Sequence, residues 1–262
     1  MTSPDMARPE KRRVWIDTFW LDALDEREVI GNVRDAWAAG RGGSIIPVNV
    51  DVARTVSRQP DLARLLAEGS LVVADGMPLI WAARASGQTL PGRVTGSSLM
   101  FSLSEAAAAY GRSIFLLGGA EGVPDKAAQA LTARFPGLKV AGAISPPFGF
   151  DKTEEGVRPV LDAVATAAPD VVFVGLGFPR QEQLIEQLRQ AWPKGWYLAC
   201  GGGIAMAAGV TRRASPTMQR LGLEWVHRLA VEPRRLAGRY LRDDLPFAIG
   251  FLGRATARRF KR

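Results

Sequence analysis

The amino-acid sequence predicts an α/β protein with a mostly parallel sheet, flanking helices and a basic, mainly helical C-terminal appendage. Three observations predict it. Short runs of branched apolar residues alternate with helical patterns through the first 210 residues, glycine and proline fall between them, and the positive charge of the 262-residue chain collects after them. Strands that alternate with helices indicate crossover units, whose right-handed return brings successive strands in parallel.

Taken in order, residues 14–19 read as a strand and 27–39 as a helix. Residues 44–48 follow as a strand, and 52–67 as a helix broken at Pro60, because proline lacks the amide that a helix interior needs. Residues 71–74, Leu-Val-Val-Ala, have no polar alternation and predict a strand covered on both faces; Gly76 and Pro78 end it, and 79–85 reads as a helix. Ser97 is expected to cap a helix to Tyr110. Strands at 113–117, 138–144, 171–174 and 196–200 then alternate with helices at 124–135, 154–168 and 181–192. These readings give a core of residues 1–210 and an appendage of residues 211–262, with the boundary at 209–213.

The net charge is +8, and the tail supplies all of it. Residues 211–262 contain 13 Lys and Arg against 4 Asp and Glu, a net +9, which leaves the first 210 residues at −1. Trp225, Leu229, Leu236, Tyr240, Leu245, Phe247, Ile249, Phe251, Leu252 and Phe260 interleave with these arginines, a composition suited to an anionic membrane surface, a nucleic acid or a diphosphate. A solvated basic face on a packing helix is the plain alternative. The one cysteine, Cys200, cannot form an internal disulfide, residues 1–13 are polar, and no apolar run approaches the ~20 residues of a membrane span. The cytoplasm is the expected compartment.

Three polar groups follow predicted parallel strands: Asn49, Asp75 and the Pro179-Arg180-Gln181-Glu182 turn. In open α/β sheets the carboxyl edge is where ligands bind, so they should converge on one crevice. Asp75, at the end of a buried strand, is the candidate general base; its alternative use is to cap the next helix. Asn49 has a local turn as its alternative, and Gln181 and Glu182 a helix start. Arg93, between Gly92 and Gly96, adds a cation that could meet a phosphate or pair with a carboxylate.

Other chemistries fail on spacing. Gly118-Gly119-x-x-Gly122, Gly175-x-Gly177 and Gly201-x-Gly203 each miss the G-x-G-x-x-G order, which argues against a nicotinamide oxidoreductase. There is no Walker A loop and no D-x-D pair, and one histidine, His227, with one cysteine cannot supply a zinc site. No nucleic-acid motif accompanies the tail's charge, so nucleic-acid binding is the competing class rather than the expectation.

These residues resemble the WecG/TagA/CpsF family of bacterial glycosyltransferases. The likeness rests on Asn49, Ala74-Asp75-Gly76-Met77-Pro78, Arg93 with Thr95-Gly96, and Gly175-Leu176-Gly177-Phe178-Pro179-Arg180-Gln181-Glu182. It continues through Gly222-Leu223-Glu224-Trp225-Val226-His227-Arg228-Leu229, Glu232-Pro233-Arg234-Arg235 and Arg239-Tyr240. The resemblance implies a Rossmann-like core, a UDP-sugar donor, a polyprenyl-diphosphate-sugar acceptor, inversion at the anomeric carbon, and neither metal nor cofactor. It implies Asp75 as catalytic base, Asn49, Arg93 and Gln181 as donor-orienting residues, and Arg228, Arg234, Arg235 and Arg239 as the cations at the departing diphosphate. It also implies an appendage that closes the active site and attaches peripherally to an anionic membrane, on the inner face of the cell membrane; a homo-oligomer stays open. Three departures bear on the donor: Pro47 where the family commonly has Thr, Ile204-Ala205 where it has Phe-Asp, and Ser215 inserted in its Arg-Ala-Pro block. An N-acetylmannosamine-type donor is favoured, with a glucose-type donor in exopolysaccharide assembly as the alternative.

Overall fold

A computed structural model describes residues 12–211, 214–215, 217–218, 223–231 and 233–259, with the side chains of Arg228, Arg235 and Arg258 outside the description. The chain opens with a hairpin, β1 (Arg13–Ile16) and β2 (Phe19–Asp22), where a single strand was expected over 14–19. Asp17 takes a positive φ of 57° and turns the chain, a conformation that Asp tolerates better than most residues. The signal was in the apolar phase: Val14 and Ile16 are buried, then Phe19 and Leu21, so the alternation shifts from even to odd positions across the turn.

The core follows as α1 (Glu26–Ala38), β3 (Gly43–Val48), α2 (Val50–Arg58), α3 (Ala63–Ala67), β4 (Leu71–Ala74), α4 (Met77–Ala85) and α5 (Gly96–Ala109). It continues with β5 (Ser113–Gly118), α6 (Val123–Arg134), β6 (Lys139–Ile144), α7 (Glu154–Ala167), β7 (Val171–Gly175), α8 (Arg180–Ala191), β8 (Trp196–Ala199) and α9 (Gly203–Ala207). The break expected at Pro60 is a short 3-10 turn between α2 and α3. Thr95, two residues before the expected Ser97, caps α5: its Oγ1 accepts from the Ser98 amide at 2.9 Å.

Six strands form one parallel sheet in the order β4-β3-β8-β7-β5-β6. Both faces are covered. One carries Ile45, Leu71, Val73, Leu116, Phe173 and Leu198 under α1, α5, α6 and α9; the other carries Ile46, Val48, Val72 and Ala74 under α2 and α4, and Phe115, Val172, Val174 and Tyr197 under α7 and α8. This double burial is why the strands read as unbroken apolar runs. Asp22, 2% exposed, accepts from the Val72 amide at 2.8 Å and ties the hairpin to the edge strand β4.

Pro47 sits inside β3, where a proline should break a ladder. Gly43 N–H donates toward β8, to Gly195 O at 3.1 Å, so alternation puts the Pro47 nitrogen on that same side. The β3–β8 register ends at Ile45↔Leu198, while β3–β4 continues to Val48↔Ala74. The missing donor therefore falls beyond the end of the ladder it would have joined.

The appendage contains α10 (Glu224–Val231), α11 (Pro233–Ala237), a π-helical turn at Gly238–Asp244 and α12 (Leu245–Arg259). α12 packs on α4 and α2, and its Ala248, Phe251 and Ala255 are buried at helical spacing. Phe251 and Ala255 belong to the same cluster as Val48 and Ala74. Of the apolar tail residues, Phe247 and Leu252 pack partly against that cluster, whereas Leu245 and Ile249 are exposed. Among the described residues no helix is long and apolar enough to cross a membrane.

Candidate active site

Parallel pairing brings the carboxyl ends of the strands to one edge. At that edge Val48 is level with Ala74, Val174 with Ala199, and Gly118 with Gly175. The residues after each strand, and the N-termini of α2, α4, α5, α8 and α9, gather there, so the edge carries the positive ends of several helices.

Asn49 and Asp75 emerge side by side. The Asp75 amide donates to Val48 O at 2.7 Å, and a Cβ on Gly76 would lie 3.9 Å from the Asn49 Cα. The cap of α4 is Gly76, with no side-chain hydrogen bond, so Asp75 is not spent on capping that helix. Asn49 does cap its own: Oδ1 accepts from the Val52 amide at 3.0 Å, which leaves the side-chain NH2 as the group it can present.

Arg93 arrives on the loop that follows β4, where the Val94 amide donates to Ala74 O at 2.8 Å. Its Nη1 is 3.1 Å from Oε2 of Glu224, the first residue of α10, so this ion pair ties the core edge to the appendage. Arg93 thus pairs with a carboxylate, one of the two uses expected of it. Beside it, a Cβ on Gly96 would stand 3.0 Å from Ala199 O, a separation that fits α5 tightly against the end of β8.

Gln181 lies elsewhere on the edge and is only 6% exposed. Its Oε1 accepts from the amides of Gly177 and Gly201, each at 3.1 Å, and its Nε2 donates to Glu182 Oε1 at 2.9 Å. Glu182 is 2% exposed; burial pushes its carboxyl up to about 7, against the Gln181 amide and its own backbone, which lower it. Spacing could have found this pair: the buried stripe of Leu184, Ile185 and Leu188 on α8 runs back through Gln181 and Glu182.

The arginines expected at the diphosphate divide. Arg234 is exposed on α11. Arg239 reaches back to the core, with Nη1 3.5 Å from Asp51 Oδ2 and Nε 3.8 Å from Asp244 Oδ2. Arg54 pairs with the same two carboxylates, Asp51 and Asp244, the latter at 2.9 Å. Burial pushes the Asp244 carboxyl up, with Asp51 adding to it, against Arg54 and Arg239. Arg228 and Arg235 stand on α10 and α11, but their side chains, with Arg212 and Arg213 at the expected boundary, lie outside the described residues. Among the described residues no group of three His, Cys, Asp or Glu is arranged to hold a metal ion.

Comparison with known proteins places this α/β edge and its docked appendage among the glycosyltransferases. Residues 14–261 match the glycosyl transferase WecG/TagA/CpsF family, and the chain belongs to that family. Among its relatives is a Bacillus subtilis protein, 30% identical over 74% of this chain and 73% of its own length. A Bacillus spizizenii protein is 29% identical over 74% of each chain, and a Staphylococcus aureus protein 27% over 73% of each. All three are named N-acetylglucosaminyldiphosphoundecaprenol N-acetyl-beta-D-mannosaminyltransferase. The chain is therefore a glycosyltransferase.

Proposed function

We propose that this enzyme transfers an N-acetylmannosamine-type sugar from a UDP-sugar to a polyprenyl-diphosphate-linked sugar, with inversion and without a metal, in the synthesis of a cell-surface polymer. The observation that carries the reading is the placement of Asp75 at the end of β4, between the Asn49 cap and the Arg93–Glu224 pair. The activity for which the three relatives are named supports the acceptor and the sugar class.

In this reading Asp75 takes the proton from the acceptor hydroxyl as its oxygen attacks the anomeric carbon. The bond from that carbon to the diphosphate oxygen breaks, and UDP leaves with the electron pair. Cations must meet that charge, and Arg93 with the appendage arginines Arg228, Arg234, Arg235 and Arg239 are the groups proposed. Asn49 offers its NH2 to the donor, and Gln181 shapes the adjoining turns. The core of residues 1–210 does the chemistry, and the appendage of residues 211–262 closes the site from the side of α2 and α4.

The same appendage is proposed to rest on an anionic membrane surface. Leu241, Leu245 and Ile249 are 52%, 45% and 65% exposed at four-residue spacing, and Arg242, next to Leu241, is exposed as well. Apolar anchors flanked by cations suit an interface rather than a span, each cation adding about 1 kcal/mol.

The test is incubation of the purified enzyme with UDP-N-acetylmannosamine, UDP-N-acetylglucosamine and UDP-glucose, and a short-chain polyprenyl-diphosphate-sugar, with and without EDTA. The expected product carries one added N-acetylhexosamine from the first donor, at the same rate with chelator. Transfer from UDP-glucose alone would reassign the donor, and activity that EDTA abolishes and magnesium or manganese restores would overturn the leaving-group chemistry.

A further inference from the structure

The Gln181–Glu182 pair has an arrangement that neighbouring surface residues do not explain. One side-chain oxygen receives two backbone N–H groups from different strand ends, Gly177 after β7 and Gly201 after β8. Both glycines have positive φ, 80° and 52°, and among the described residues no atom beyond their chain neighbours lies within 4 Å of where a Cβ would stand, so neither turn is filled by the described core. A side-chain amide with two donors at its oxygen and a carboxylate at its nitrogen is consistent in only one orientation, because turning it over would set like against like at both ends. Glu182 meets the nitrogen end. Its other oxygen, Oε2, is buried with no hydrogen-bond partner among the described residues. An incompletely paired carboxyl in the interior costs stability, so its retention calls for another reason.

We infer that Glu182 is a positioning residue: it pins the Gln181 amide, and through it holds the Gly177 and Gly201 turns as the rigid floor of the donor site. Gln181 orders the donor by fixing backbone rather than by touching it. Turns held at a fixed separation let a diphosphate-bearing ligand approach the backbone without first ordering two loops, an entropic cost otherwise taken from binding. The inference deepens the proposed donor site and rests on it for the identity of the ligand, but the brace itself rests on the hydrogen bonds alone.

The test uses the full chain and exchanges the roles of the pair at pH 8. Gln181→Glu alone sets two carboxylates against each other, and the double variant Gln181→Glu with Glu182→Gln restores all three hydrogen bonds: the two from the glycine amides keep their direction, and the one between the side chains has donor and acceptor reversed. Amide hydrogen exchange at Gly177 and Gly201 reads the brace, and calorimetric titration with UDP reads the site. The single variant should exchange both amides at least about tenfold faster and bind UDP about tenfold more weakly; the double variant should return both toward wild type. If Gln181→Glu does not fold, Glu182→Leu reads the same two amides. Wild-type exchange at both glycines in the single variant would overturn the inference. So would a double variant that recovers thermal stability but not the amides, or faster amides with unchanged UDP affinity. A wild-type protein that does not bind UDP would overturn the donor reading instead, and the amides would still decide the brace.

Discussion

At the β7–β8 end of the crevice two turns are held by one buried amide, whereas at the β3–β4 end the appendage is held by ion pairs between long side chains. Gln181 and Glu182 are 6% and 2% exposed and bind over single hydrogen bonds to backbone and to each other. Arg93–Glu224, Arg54–Asp244 and Arg239–Asp51 run instead from core to appendage; the side chains of the first two pairs are 8–16% exposed, and solvent reaches this wall chiefly at Arg239, whose side chain is 39% exposed. Buried hydrogen bonds are indifferent to salt and cannot exchange partners with water; ion pairs partly open to solvent are screened and can. One wall is thus fixed by the fold and the other is separable, which suits the proposed function, in which a large acceptor enters on one side and a small donor is held on the other.

The largest expected effect is chemical and falls between the two walls. Asp75→Asn keeps the shape and removes the proton acceptor, so turnover should drop about 100- to 10,000-fold with an unchanged melting temperature. Initial rates at neutral pH check it, and near-normal transfer by the folded variant would remove Asp75 from the base role.

Next in size is a pH effect confined to the fixed wall. The Glu182 carboxyl moves from 4.5 to about 7 on folding, so between those values the folded state holds a proton that the unfolded chain has lost, and stability falls as pH rises. Above the window the full penalty stands, roughly 3 kcal/mol at 1.36 kcal/mol per unit. Glu182→Gln removes it. Urea unfolding should find the variant more stable than wild type at pH 8 by up to that amount, with the difference gone by pH 4.5; equal gains at both pH values would break the assignment.

A smaller loss should follow Arg54→Ala at the separable wall. It leaves Asp51 and Asp244 facing each other with Arg239 alone between them, at a cost of about 2 kcal/mol, below the 3–5 kcal/mol of a fully buried pair because solvent reaches the site. Hydrogen exchange should rise across α12 while Gly177 and Gly201 keep their protection. Protection lost equally at both walls would mean that they are one cooperative unit.

Salt should sharpen the same contrast with the smallest effect. Raising NaCl from about 0.05 M to about 0.5 M shortens the screening length several-fold and should weaken α12 protection by roughly 0.5 kcal/mol, with no change at the glycine turns. A salt response at Gly177 or Gly201 would contradict the hydrogen-bonded brace.

What the sequence determined by itself was whatever depends on neighbours along the chain. Leu71–Ala74 reads as a doubly covered strand because four apolar residues in a row allow no solvent face, and Asp75 follows it by one peptide bond wherever the strand lies. The hairpin at Asp17 was equally local, written in a phase shift, but lacked the glycine that usually marks such a turn. Tertiary structure alone decided which partner each candidate side chain finds. Asn49 caps α2, Arg93 meets Glu224 131 residues later, and Arg239 returns to Asp51. Residue type and spacing set what each group can bind, but the partner it finds depends on strand order and helix docking. That is why α12, read from its composition as a surface element, places Phe251 and Ala255 in the core while Leu245 and Ile249 stay outside. An amphipathic period shows that a helix has a buried face; only the packing of the whole chain determines what buries it.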